Sequence, residues 1–234
     1  MNGGKSPGNY GLSVEFYKYF WDDIKDLLLE SFNYSISVGF LSTSQKQAII
    51  KLIEKRDKDK RYIANWRPIS LLNVDTKIFS KTIASRFIPI LPTIIHADQT
   101  AYVKGRFIGE SVRQISQILN LCKQENIDGY LLTADLEKAF DSINHTFLIC
   151  CLEKYGFDNY FISLIKLLLC GSESCVINGG TTTPYFLLQR GARQGDPIAA
   201  YLFILVLEIF FIMVRSNNNI GKIKIFNEFY LLTA

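Results

Sequence analysis

Asp135 follows a five-residue apolar run, Tyr130-Leu131-Leu132-Thr133-Ala134, and is followed by Leu136. A short apolar run of this kind is expected to be a buried strand. A strand end is rigid and meets solvent, so it can present a carboxylate to a ligand or a metal ion. The polar residues that come next, Asp141, Ser142 and Asn144, suit capping of a helix beginning near His145. Taken alone, Asp135 is equally a cap or a turn residue. A second group lies in residues 189–208, QRGARQGDPIAAYLFILVLE. There Gly191 and Gly195 permit close backbone approach. Arg193 and Gln194 carry donors that a phosphate, a sugar or a template base accepts. The structural alternative is a glycine-rich turn ahead of a helix.

A third group, residues 64–86, reads ANWRPISLLNVDTKIFSKTIASR. Pro68 disfavours helix at Arg67 and makes this segment extended. Lys55 closes the preceding apolar run AIIKLIEK, which is expected to be a strand, and 56–61 (RDKDKR) is then a hairpin tip. Residues 98–106, DQTAYVKGR, add Lys104 and Arg106.

The stretch TADLEKAFDSINH resembles the first polymerase motif of reverse transcriptases, in the form used by LINE-type (non-LTR) retrotransposons. RQG-P before an apolar helix, NWRPISLLN, and the entry segment KSPGNYGLSVEFYKYF (5–20) are similar to that family as well, in its order and at family-like intervals. The resemblance covers nearly the whole chain from about Lys5. It departs at Ala199-Ala200, where Ser-Pro is frequent, and at Asn9-Tyr10, where an acidic residue is usual. The resemblance implies that Asp135 binds the catalytic metals together with the Leu136 carbonyl. Phe140 would lie under the sugar of the incoming nucleotide and exclude a 2′-hydroxyl. Gln194 and Gly195 would touch nucleotide and template. Arg67 would meet the triphosphate, since a guanidinium suits a bidentate phosphate contact, with Lys55 a second candidate. Lys104, Arg106 and Arg193 would face nucleic acid. The implied partners are an RNA template, a DNA primer and dNTP. The implied cofactor is a pair of Mg²⁺ ions, or Mn²⁺ in their place. A Tyr-Ala-Asp-Asp hairpin would supply the remaining carboxylates. It is absent from a chain that stops at Leu231-Leu232-Thr233-Ala234. The expectation is a fragment, inactive alone; the alternative is a non-catalytic remnant that holds nucleic acid.

Several elements must position these residues. Apolar spacing predicts one amphipathic helix over 12–32, and further helices over 75–91, 109–124, 145–155, 159–169 and from about Asp196. Strands are expected at 174–178, 185–189, 222–226 and 228–232. The fold class is α+β: a right-hand polymerase fold of fingers and partial palm, with a small antiparallel sheet packed on helices. The division is a helical extension (1–44), a fingers-like region (45–125) and an incomplete palm-like region (126–234).

Composition agrees. The 234 residues are 48% hydrophobic and 21% charged, which excludes disorder. The net charge of +4 is uneven: 45–125 holds 15 Lys/Arg against 7 Asp/Glu, while each flank is mildly acidic. A basic middle suits an anionic partner or is simply a solvated face. Five cysteines with no CxxC pair exclude a zinc ribbon and point to a reducing, intracellular compartment. No import signal separates nucleus from cytoplasm. The polar, glycine-bearing 1–10 is no signal peptide. Glu208 interrupts the apolar stretch 198–214, so a buried core helix is expected there and no membrane partner. With only His96 and His145, neither in a nucleophile motif, a Ser/His/Asp hydrolase is poorly supported.

Overall fold

The structure is a computed structural model and describes residues 1–219, 223–225 and 228–230. Helices α1 (Val14–Tyr19) and α2 (Trp21–Val38) stand where one helix was expected. The break is Phe20, which leaves helical geometry at φ −95°, ψ 21°. It lets two faces pack on different targets. Val14 and Tyr17 bury against Val74, whereas Phe32 enters the main core and stacks on Phe79 at 4.6 Å.

After α2 comes the short helix α3 (Thr43–Lys46), closed by a capping box in which Ser42 and Gln45 satisfy each other's backbone N–H groups. Strands β1 (Gln47–Glu54) and β2 (Trp66–Leu72) form the expected hairpin, running from Ala48 opposite Leu72 to Glu54 opposite Trp66. Helices α4 (Val74–Phe87), α5 (Leu91–Ile94) and α6 (Ile108–Gln124) follow. Then come α7 (His145–Lys154), with its expected polar cap, Asn144 accepting from Phe147, and α8 (Asn159–Leu169), where Asp158 accepts from Phe161. Strands β3 (Glu173–Asn178), β4 (Thr181–Thr182) and β5 (Phe186–Leu187) precede helix α9 (Ala199–Ser216) and the hairpin β6 (Ile223–Ile225) and β7 (Glu228–Tyr230). The outer ends of the two strands expected there, 222, 226, 231 and 232, fall outside the described residues.

Two expectations are corrected. The main sheet is mixed: its order is β2-β1-β3-β4, with β5 also on β3, and β1 pairs with β3 in parallel. Parallel neighbours need a long crossover, and helices α4 to α8 provide it. The expected strand at 130–134 is irregular and exposed, Tyr130 at 102% and Leu132 at 89%. A strand exists only through its ladder, and no described strand pairs with this one. Tyr130 and Leu131 instead border a cavity of about 100 Å³ against Ile118 and Leu119 of α6.

The core joins α4 (Ile83, Phe87), α7 (Leu148, Leu152), α8 (Ile165, Leu168) and α9 (Leu202, Leu205). Helix α9 is long and apolar enough to cross a membrane by length and composition. Its first half is buried as expected, and Glu208 is 1% exposed and paired with Arg215. Its second half differs from the expectation, since Phe210 and Met213 face solvent.

Asp75, buried in the first turn of α4, accepts the Thr76 N–H at 2.7 Å. Burial nonetheless pushes its carboxyl above the usual range, outweighing the hydrogen bonds. A raised acid holds its proton more tightly folded than unfolded. Its contribution is therefore complete below the ordinary carboxylate pKa and is lost as pH rises through the raised folded value. Asp75→Asn should then gain on the wild type in urea midpoint as pH climbs from about 4 to about 7. Parallel pH profiles for the two proteins would overturn this.

Candidate nucleotide site

The turn 190–196 is the centre of the site, and its two glycines explain its position. Gly191 has φ +90°, and a Cβ there would lie 3.0 Å from Asp141 Cα. The contact is fixed by Gly191 N–H to Ile143 O (2.7 Å), Ala192 N–H to Phe140 O (2.8 Å) and His145 Nε2 with Gly191 O (2.8 Å). Gly195, at φ +121°, sits so close to β2 that a Cβ would come 2.5 Å from Ser70 O. Ser70 N–H donates to Gln194 O at 2.9 Å. Strand β2 is the sheet edge, so this turn covers part of an otherwise free edge. Pro68 is tolerated on β2 for the same reason.

The turn thereby joins two distant parts of the sequence. On one side is the segment bearing Phe140, whose ring packs on Phe203 of α9 at 5.3 Å. On the other is β2, bearing Arg67. The strand rise sets Arg67 about 10 Å from Ser70 along the same strand. Arg67 is exposed, and among the described residues its guanidinium has no partner. Phe140, Gln194 and Gly195 are thus gathered at one place, with Arg67 further along the strand that borders it.

Other expected site residues lie elsewhere or are engaged. Asp135 and Leu136 are exposed on the irregular segment, and among the described residues the Asp135 carboxylate makes no hydrogen bond or ion pair. Lys55 Nζ donates to Ala64 O at 2.9 Å and closes the hairpin tip. Lys104 is exposed beside Tyr102, which has φ 59°. Arg106 is engaged as a loop staple. Its guanidinium donates to the carbonyls of His96 (2.5 Å), Gln99 (2.7 Å), Ile95 (2.9 Å) and Pro92 (3.3 Å). Arg193 is engaged likewise: its side chain is 5% exposed and points inward, to Lys46 O at 2.9 Å and Leu168 O at 3.5 Å. A fork of fixed donors suits stray carbonyls as well as phosphate, and buried carbonyls left by α3 and α8 claimed it.

The partners of this turn were not legible from the sequence: Ser70, His145, and Ser80, whose hydroxyl bonds Asp196. Asp196 itself does cap the approach to α9, accepting from Ile198 N–H at 3.2 Å, though the helix begins at Ala199. Burial weighs against the Arg193 charge, and Asp196, 3.9 Å away, supports it. Burial also pushes the Asp141 carboxyl up, against the pull of Lys138 and Arg190.

No three His, Cys, Asp or Glu side chains converge to hold a metal ion among the described residues. Asp135 with the Leu136 carbonyl is too small a donor set for two octahedral ions.

The family model for reverse transcriptase (RNA-dependent DNA polymerase) matches residues 53–230. The chain belongs to the reverse transcriptase family. The match takes in β2, the Asp135–Phe140 segment and the 190–196 turn. Relatives come from retrotransposons. The transposon TX1 uncharacterized 149 kDa protein of Xenopus laevis is 37% identical over 217 residues, 91% of this chain and 16% of that protein. A Pol polyprotein from the retrotransposable element R2 of Popillia japonica is 25% identical over 71% of the chain and 23% of its own length. The probable RNA-directed DNA polymerase from transposon X-element of Drosophila melanogaster is 28% identical over 74% of the chain and 19% of its own length. The family and these relatives make the chain a reverse transcriptase domain of the LINE type, spanning under a quarter of each of the three.

Proposed function

We propose that this reverse transcriptase domain acts in RNA-directed DNA synthesis, as the fingers and part of the palm of a polymerase that adds dNTP to a primer 3′-hydroxyl on an RNA template. The observation that carries this reading is the edge contact of Ser70 with Gln194 and Gly195. It unites an arginine-bearing strand with an aromatic-bearing segment around a turn whose backbone is bonded to both.

Each residue has a physical task in this reading. Arg67 meets the triphosphate as a fork of charged donors. The Phe140 ring, braced by Phe203, presents an apolar face to the sugar and leaves a 2′-hydroxyl neither room nor partner. Gln194 and Gly195 border the base-paired nucleotide, and the lack of a Cβ at Gly195 lets β2 approach closely enough to hold them there. Asp135 and the Leu136 carbonyl are the residues of this chain that would face divalent metal, Mg²⁺ or Mn²⁺; alone they do not hold a pair. Lys104 is the remaining exposed candidate for the nucleic-acid backbone. The setting is intracellular.

Primer extension on an RNA template, by the polypeptide carrying this domain in its natural context, tests the reading. Arg67→Ala should raise KM for dNTP by roughly 10- to 100-fold, in line with the loss of charged hydrogen bonds. Its effect on kcat should be smaller. Phe140→Val, which keeps an apolar contact to Phe203, should admit rNTP. An unchanged KM together with an unchanged rNTP to dNTP ratio would sink the assignment. The exposure of Asp135 favours one competing reading, nucleic-acid binding without chemistry. Asp135→Asn separates the two: the polymerase reading requires incorporation to be lost while RNA affinity is kept.

A further inference from the structure

A cavity of about 490 Å³ opens between the N-terminal segment, α4 and the start of α9. It shares no residue with the nucleotide site above. Its volume is that of a small-molecule pocket. Three lysines line it, Lys5, Lys77 and Lys81, and no acidic side chain does among the described residues. Lys77 and Lys81 stand four apart on α4, on one helical face, where like charges repel. Lys77 is half-buried, and among the described residues it has no ion pair or hydrogen bond. The carboxylate that most affects it, Asp196, is already committed to Ser80 and the Ile198 N–H, with Arg193 nearby. Cationic side chains gathered around a cavity that has no acidic side chain in its lining have the chemistry of an anion site. The apolar part of the lining comes from Ile88 at the end of α4 and from Pro197 and Tyr201 at the start of α9.

We propose that this cavity binds a nucleoside 5′-phosphate. Its phosphate lies between Lys77 and Lys81, with Lys5 closing over it. Its base packs against Tyr201, Pro197 and Ile88. The phosphate relieves the Lys77–Lys81 repulsion and supplies a counter-charge within the cavity. The base gives the apolar wall a flat partner, worth more than phosphate alone. The same chemistry is carried by a free nucleotide and by the 5′-phosphorylated end of an RNA strand. This inference does not rest on the polymerase reading.

The full chain is titrated with AMP, with inorganic phosphate, and with a short RNA bearing either a 5′-phosphate or a 5′-hydroxyl. Saturable AMP binding is expected, at least 10-fold tighter than inorganic phosphate. It should weaken at least 10-fold in Lys77→Met and in Lys81→Met, and fall as salt rises. Lys81 is exposed, so its variant keeps the test valid if Lys77→Met fails to fold. Arg67→Ala should leave AMP binding intact, which separates failure here from failure of the dNTP assignment. Lysine-dependent preference for the 5′-phosphorylated RNA assigns the site to a strand end; AMP binding without it assigns the site to free nucleotide. No saturable AMP binding, binding indifferent to both lysine variants, or phosphate binding as tightly as AMP would each overturn the proposal.

Discussion

Gly195→Ala should unfold at markedly lower urea concentration and lose protection of the Ser70 amide against hydrogen exchange. Two costs add at this position. The backbone holds φ +121°, a region that L side chains occupy at about 1–3 kcal/mol. The new methyl would also sit 2.5 Å from Ser70 O, and that atom cannot swing aside. It belongs to β2, whose register is set by the pairing with β1 from Ala48–Leu72 to Glu54–Trp66. The turn must lift instead, breaking Ser70 N–H to Gln194 O (2.9 Å) and leaving a part-buried amide unpaired. A loss of about 2–4 kcal/mol is expected from strain, clash and the orphaned amide together. Gly180→Ala is the control: Gly180 has φ +84° with nothing within 4 Å. It carries strain without the clash and should lose about 1 kcal/mol. If Gly195→Ala matches Gly180→Ala and the Ser70 amide stays protected, the contact does not hold the site together.

What sequence could reveal about this site follows from the range of the forces involved. Local rules were enough for α8, whose expected bounds 159–169 match the observed Asn159–Leu169: a cap at Asp158 and an apolar stripe are both encoded within twelve residues. The hairpin of β1 and β2 was legible for the same reason, since alternation, a charged tip and Pro68 are local. The parallel pairing of β1 with β3 was not legible, because nothing in either strand names a partner across five helices. The run 130–134 failed in a related way. Its residues favour a strand, but a strand needs a neighbour, and composition does not say whether one is present. At the site, the two glycines were recognised as places of close approach. Ser70 and Asp141, the surfaces they approach, are ordinary in sequence and are defined only by the fold. The arginines show the same limit. Arg67, Arg106 and Arg193 are alike as letters, and only the position of backbone carbonyls decides which guanidinium stays free.

Arg193 carries the second large effect. Arg193→Met should cost about 3–5 kcal/mol, the range for removing one partner from a buried pair. The loss has three parts: the Lys46 carbonyl loses a 2.9 Å donor, the Leu168 carbonyl a weaker one at 3.5 Å, and Asp196 keeps its buried charge without the cation 3.9 Å away. Methionine nearly fills the volume, so the effect measures polar loss rather than a cavity. Arg193→Lys should recover little, because one ammonium cannot reach carbonyls on α3 and α8 together. A surface phosphate contact behaves in the opposite way: its loss leaves urea stability unchanged and lowers the salt dependence of RNA binding by about one unit of slope. The two measurements therefore decide between the roles. Lost stability with an unchanged salt slope makes Arg193 the residue that locks the turn against α3 and α8, so that Gly191, Gln194 and Gly195 are held in place from behind. Unchanged stability with a shallower slope would mean that the guanidinium turns outward to nucleic acid, and that Gly195 alone anchors the turn to β2.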